Sequence, residues 1–227
     1  MSPLGTPRLH LRVTDSTNTR ARELAVAGAP HGTLVTAAEQ SAGRGRQGRT
    51  WTAPAGRALL CSVVVRRPPP LLSLLAGVAT AEAVGPQARL KWPNDVHVNG
   101  RKVAGILVEG RPQEGWAIVG VGINVAVRPE EFPPELADSA GTLGLGPEAI
   151  EPLLARLLSA LARWLAAPAD EMLAAVRARD ALLGQTITWA GGTARGAGID
   201  AHGRLLVDTP DGRQALNAGE VHLGAMS

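Results

Sequence analysis

"GRGRQGRTW", residues 43–51, decides between two architectures. Gly43, Gly45 and Gly48 satisfy G-x-G-x-x-G, the turn that opens a dinucleotide-binding helix. In that fold the pyrophosphate rests on the N-terminal amides of the helix that follows. Here the chain continues as "TAPAGRALLCSVVVRRPPP", residues 52–70. Pro54 and Gly56 interrupt any helix, and "ALLCSVVV" has the composition of a buried strand ended by prolines. "GTLVTAAE", residues 32–39, reads as a strand as well. The stretch is therefore a cationic loop between two strands, and the nucleotide-fold reading fails on context. Glycines let such a backbone approach a ligand, and arginines supply forked donors for phosphate or carboxylate. A solvated basic turn has the same composition, so the chemistry has to be sought in the rest of the chain.

Outward from the loop, "DSTNTRARELAVAG" (15–28) begins with capping residues and continues as a helix. "LLSLLAGVATAEAV" (71–84) is an apolar helix too short to span a membrane. In "ARLKWPNDVHVNGRKVAGILVEG" (88–110), Asn99-Gly100 separates two alternating runs, which predicts a hairpin with a type I′ turn. "GWAIVGVGINVAV" (115–127) is a fully buried strand by composition, and 128–144 reads as a loop. Two amphipathic helices follow, over 147–165 and 170–183. From Gly184 onward, short strands with glycine at nearly every turn predict a small β-barrel. The expected organisation is α+β: a mixed-sheet catalytic domain with flanking helices over 1–183, and an SH3-like barrel over 184–227.

Composition narrows the function. Hydrophobic residues are 45% and charged residues 19% of the 227, as in a globular domain, and the N-terminus lacks the apolar core of a signal peptide. Cys61 is the lone cysteine, so no disulfide framework exists, and a cytoplasmic protein is expected. The pI of about 9.9 accompanies a net charge of only +3, because all but two of the 23 basic residues are arginine. A nucleic-acid binder would be expected to carry more excess charge and more aromatics than one Phe, no Tyr and five scattered Trp. An RNA-binding tract built on the arginine loop would also need repeated Arg-Gly units.

The two exceptions, Lys91 and Lys102, both fall in motif-like stretches. In a chain that uses arginine elsewhere, these positions ask for a compact ammonium on a flexible stem. A regular ladder around the Asn99-Gly100 turn sets His97 opposite Lys102 and Asp95 opposite Ala104. Asp95, His97 and Lys102 then share a face, with Asp95 and Lys102 diagonal neighbours roughly 7–8 Å apart. That spacing is too wide for a tight ion pair and admits a ligand or Mg²⁺. Arg44, Arg46, Lys91 and Lys102, with Asp95 as metal carboxylate, suit the joining of two anions. Carboxylate attack on the α-phosphate of ATP is such a reaction; it needs no general base, and fixed cations lower its barrier.

"DSTN", "GRGRQGRTW", "KWPNDV", "RKVAGILVE" and "GVGINV", in this order and spacing, resemble a biotin protein ligase, and "NAGEV" is similar to that family's terminal barrel. The resemblance implies formation of biotinoyl-5′-AMP from biotin and MgATP, then transfer of biotin to a lysine of a biotin carboxyl carrier protein domain. It implies that Ser16, Thr17, Asn18 and Gln40 hydrogen-bond the biotin ring system, with Gly105 giving close backbone approach. Arg44, Gly45 and Arg46 would close over the adenylate phosphate, and Lys102 would contact carboxylate and phosphate oxygens. Trp51 would stack on adenine, with Arg49, Lys91, Asn94 and Asn124 as further nucleotide contacts and Asp95 serving Mg²⁺. Helix capping is the competing role for Ser16, Thr17 or Asn18. The motifs begin too early for the DNA-binding domain of larger members, so no specific DNA binding is expected; the resemblance allows a homodimer. Arg57 departs from the small polar residue usual at its position. A lipoate ligase is the alternative, but it would be expected to lack this arginine-glycine loop and the "KWPND" spacing. Retention of every charged motif residue argues against an inactive binding protein.

Overall fold

The apolar run at 116–124 becomes the central strand of a seven-stranded sheet in the computed structural model, which describes residues 4–217 and 221–223. Part of "NAGEV", residues 218–220, lies outside the described residues. In chain order the sheet comprises β1 (Arg8–Thr14), β2 (Leu34–Gln40), β3 (Ala58–Arg66), β4 (Arg89–Lys91), β5 (Asp95–Val98), β6 (Arg101–Arg111) and β7 (Trp116–Asn124). Its spatial order is β1-β2-β3-β7-β6-β5-β4. β1 runs parallel to β2 and every other neighbouring pair is antiparallel, so the sheet is mixed, as expected. β1 itself was not expected as a strand. It lies on the sheet edge with Leu9 and Val13 exposed, and of its alternating apolar residues Leu11 is the one that packs partly buried beneath α1.

Period-two alternation gives β3 and β7 two distinct faces. Leu59, Cys61, Val63 and Val65 join Val119, Val121 and Ile123 in the main core. That core is closed by α2 (Leu72–Val84), α3 (Ile150–Ala166) and α4 (Ala169–Ala178). α2 is apolar all round because it is covered by the sheet on one side and by α3 and α4 on the other. α3 buries a single stripe, Leu153, Leu154, Leu157, Ala160, Leu161 and Trp164. Burial pushes the Cys61 thiol up to about 12, consistent with a packing residue. The opposite face is partly covered by α1 (Thr17–Val26), whose Ala21 and Ala25 pack on Val35, Val64, Trp116 and Ile118.

The glycine-rich C-terminal region forms a second sheet, fully antiparallel, from β8 (Thr186–Trp189), β9 (Gly192–Ile199), β10 (Leu205–Thr209), β11 (Gly212–Leu216) and β12 (His222–Leu223). Its order is β11-β10-β9-β8-β12. Its backbone carbonyls dock on α4 and on the turn between β4 and β5: Arg177 Nε donates to Ile199 O (2.8 Å), and Trp92 Nε1 donates to Gly203 O (3.0 Å). Gly203 has a positive φ of 74°, and a Cβ there would meet Leu74 Cδ1 at 2.9 Å, so the turn can sit this close only as glycine. Among the described residues, no helix is long and apolar enough to cross a membrane.

Trp92→Phe removes the buried donor to Gly203 together with the pyrrole part of the indole. The expected cost is about 1–3 kcal/mol, since a buried carbonyl loses its partner. Urea denaturation followed by circular dichroism checks it; an unchanged midpoint would contradict the docking role.

Candidate active site

The face that α1 leaves uncovered is built from β3, β7 and β6, and its central positions lack side chains. Gly122 pairs with Leu60 on one side and Gly105 on the other; Gly120 pairs with Ser62 and Leu107. A cavity of about 350 Å³ lies over this floor. The indole of Trp51 rests on it: a Cβ on Gly122 would come within 2.6 Å of Trp51 Cε2, and one on Gly105 within 3.1 Å of Trp51 Cζ3. A Cβ on Gly120 would collide with Asn18 Oδ1. All the residues singled out from the sequence for biotin, nucleotide or metal line this one cavity.

One end is uncharged and closely hydrogen-bonded. The Thr17 amide and hydroxyl both donate to Gln40 Oε1, at 2.7 and 3.0 Å. Ser62 Oγ lies 2.8 Å from Thr17 Oγ1 and 2.6 Å from Asn18 Oδ1, and Asn18 Nδ2 donates to Leu107 O (3.2 Å) and Glu109 Oε2 (2.8 Å). Ser16 occupies the N-cap position of α1 with extended backbone but makes no side-chain capping bond, so its buried hydroxyl is not engaged in capping. Asp15 orients this turn instead: its carboxylate accepts the Ser16 amide (2.7 Å), and the Arg20 guanidinium holds it down at about 2.

The other end is cationic. The arginine loop closes on itself through Gly45 N to Arg49 O (2.7 Å) and Trp51 N to Gly43 O (2.9 Å). Its arginines are anchored. Arg44 Nη2 meets Glu109 Oε2 at 2.7 Å, and Arg46 Nη1 donates to Asn94 Oδ1 at 3.1 Å. Asn94 Nδ2 donates to Ile106 O and Asn124 Nδ2 to Gly141 O, each at 2.9 Å. Arg57, the departure noted above, reaches Ala126 O at 3.4 Å. Lys91 pairs in register with Asp95, and the Lys102 ammonium lies 5.8 Å from the Trp51 ring centroid.

The hairpin turn is as expected, with positive φ at Asn99 (51°) and Gly100 (78°), and His97 does face Lys102. Beyond that pair the expected register is overturned. A β-bulge places Asp95 opposite Gly105 rather than Ala104. Bulges re-aim side chains, and here Lys102 Nζ reaches Asp95 Oδ1 at 2.7 Å, a tight ion pair where a gap was expected. The contact is close but off the hydrogen-bond direction, for Oδ1 has no directional donor within the protein. His97 is buried beside this pair. Its Nδ1 lies 3.1 Å from Gly100 O, which can only accept, so Nε2 carries the lone pair; burial, then the Lys91 and Lys102 charges, push the imidazole pKa down.

Buried polar atoms without protein partners gather at this cavity: Arg44 Nε, Trp51 Nε1, His97 Nε2 and Asn124 Oδ1. Buried polar groups are nearly always paired, so the pattern fits a polar ligand. For a divalent cation the fit is of one kind. Among the described residues no group of three or more His, Cys, Asp or Glu could cage a metal. Asp95, whose carboxylate lines the cavity beside Lys91 and Lys102, suits Mg²⁺, which binds through one or two carboxylates together with substrate phosphates.

Sequence reading missed several contributors. Ser62 was detectable as the one polar side chain in "ALLCSVVV", and Glu109 as the residue two steps beyond Leu107 on the cavity face. Phe132, Leu136, Ser139 and Ala140, from the segment read as a plain loop, also line the cavity. Ser139 O accepts the Lys102 amide and Lys102 O accepts the Gly141 amide, both at 2.8 Å. His222 reaches the lining from the second sheet.

Residues 10–125 match the biotin/lipoate A/B protein ligase family, and residues 175–224 match the biotin protein ligase C terminal domain. The chain is 40% identical to the biotin–[acetyl-CoA-carboxylase] ligase of Paracoccus denitrificans, over 93% of this chain and 98% of that protein. It is 43% identical to the bifunctional ligase/repressor BirA of Bacillus subtilis (strain 168) over 62% of its own length, but spans only 47% of that protein, about half. The biotin protein ligase of Aquifex aeolicus, solved in complex with biotin and ATP, superposes with a TM-score of 0.82 at 28% identity. That match covers 96% of this chain and all of that one.

The floor geometry makes a structural prediction. Gly122→Ala has to displace Trp51, so its tryptophan emission should shift toward longer wavelength. Subtracting the Trp51→Phe spectrum isolates that signal. An emission spectrum identical to wild type would mean that Trp51 does not rest on Gly122.

Proposed function

The chain belongs to the biotin protein ligase family, and we propose that it joins biotin to a carrier lysine in two steps, the first of which consumes ATP. In the first, a biotin carboxylate oxygen attacks the α-phosphorus of ATP. The new O–P bond forms as the bond to the bridging β-phosphate oxygen breaks, and pyrophosphate leaves with the electron pair. In the second, the neutral ε-amine of a lysine on a biotin carboxyl carrier protein domain attacks the acyl carbon. The amide forms, AMP leaves, and the amine proton passes to solvent. The single observation that carries this reading is the division of one cavity into an uncharged hydrogen-bonding end and a cationic end, with Lys102 on the shared floor: a Cβ on Gly105 would lie 3.5 Å from its Nζ.

The roles follow from chemistry. A ureido group buried out of water requires partners for its carbonyl and both N–H groups. Ser16, Thr17, Asn18 and Gln40 offer hydroxyls and amides for them. The carboxylate is already ionised at neutral pH, so the first step needs no base. What it needs is positive charge around two anions and the developing pentavalent phosphorus, which Arg44, Arg46, Lys91 and Lys102 supply in a partly desolvated site. Trp51 offers an apolar face to adenine; Arg49, Asn94 and Asn124 offer polar contacts around the nucleotide. Asp95 would hold Mg²⁺, which when bound neutralises phosphate charge. The dithiolane ring of lipoate presents no N–H or carbonyl to the uncharged end and would leave its polar groups unpaired, which favours biotin over the lipoate alternative.

Pyrophosphate formation from ATP should require biotin and should not occur with lipoate. Lys102→Arg keeps the charge, yet its bulkier guanidinium cannot place a point charge between carboxylate and phosphate. It should lower the rate by about 100-fold or more, the scale of losing one stabilising group in a transition state. Biotin-independent pyrophosphate release, or a wild-type rate in Lys102→Arg, would contradict the assignment.

A further inference from the structure

We propose that Glu109 is a positioning residue that couples the arginine loop to the recognition of biotin's ring system; the inference rests on the ligase reading above. Glu109 does not line the cavity, yet a single oxygen of its carboxylate, Oε2, receives both Asn18 Nδ2 (2.8 Å) and Arg44 Nη2 (2.7 Å). Those two residues belong to opposite ends of the site: Asn18 to the first turn of α1, Arg44 to the loop.

The contact fixes what each presents. Asn18 Nδ2 has two hydrogens, and Leu107 O and Glu109 Oε2 engage both. Its carbonyl oxygen is therefore turned toward Ser62 Oγ, 2.6 Å away, with one lone pair remaining for a donor. The space for this rotamer exists because residue 120 is glycine. Arg44 is pinned by Nη2, while its Nε is buried without a protein partner and stays available to an anionic ligand. Because both donors share one acceptor atom, movement of the loop changes the bond that orients Asn18. An ordinary ion pair between side chains about a third exposed, as Arg44 and Glu109 are (36% and 31%), adds little stability and would leave ligand affinity unchanged.

Glu109→Gln separates the two roles, since the amide keeps the shape but loses the charge that holds two donors. Isothermal titration with biotin alone should show binding weakened about 10-fold or more, the loss of charge-assisted hydrogen bonds. The melting temperature should be unchanged, so that the lost affinity reports positioning rather than folding. Combined with Asn18→Ala or with Arg44→Ala, the Gln substitution should add far less than its single effect, because it acts through those residues. Unchanged biotin affinity in Glu109→Gln, or full additivity in both pairs, overturns the inference while wild type still binds biotin. Absence of biotin binding by the wild-type chain overturns the ligase reading itself, and this inference with it.

Discussion

The missing side chains of Gly105, Gly120 and Gly122 on one face of β6 and β7 open the room on which the site depends. Glycine weakens a strand, because it loses more freedom on ordering and packs nothing on that face. The loss is offset on the reverse face, where Val119, Val121 and Ile123 are buried against the helices. One strand therefore does two jobs at period two: Val119, Val121 and Ile123 hold the core, while Gly120 and Gly122 between them clear a floor. Trp51 and Asn18 lie where Cβ atoms would otherwise stand.

Charge is distributed around that floor by tethering rather than by burial. Arg44, Arg46 and Lys102 are each held by a named partner, Glu109, Asn94 and Asp95. Partly exposed pairs of this kind add little stability, so their consequence is positional. A guanidinium or an ammonium has more donors than one partner can engage. Each cation can keep its tether and still meet an incoming anion, which allows the site to be organised before the ligand arrives.

The sequence made some of this legible for physical reasons. Asn99-Gly100 could be read as a type I′ turn because both residues tolerate positive φ, and both adopt it. Continuous apolar runs identified β3 and β7 because both of their faces are covered. The bulge beyond the turn was illegible, since register in β6 depends on its partners on both sides and on the 128–144 segment clasping Lys102. The Asp95–Lys102 contact was misjudged for that reason alone. β1 was overlooked although Leu9, Leu11 and Val13 alternate with polar residues; at the sheet edge Leu9 and Val13 stay exposed and Leu11 is partly buried, so the run is weakly apolar. The cavity lining from Phe132 to Ala140 comes from irregular backbone without periodicity.

The central claim is that this cavity brings a carboxylate oxygen of biotin onto the α-phosphorus of ATP. Oxygen transfer tests it most directly. The protein would be incubated with biotin carrying ¹⁸O in both carboxylate oxygens, ATP, and a carrier domain or hydroxylamine as acyl acceptor, and the nucleotide and pyrophosphate examined by mass spectrometry. The account predicts one ¹⁸O in each AMP released and none in pyrophosphate. Unlabelled AMP, or label appearing in pyrophosphate or phosphate, would contradict it.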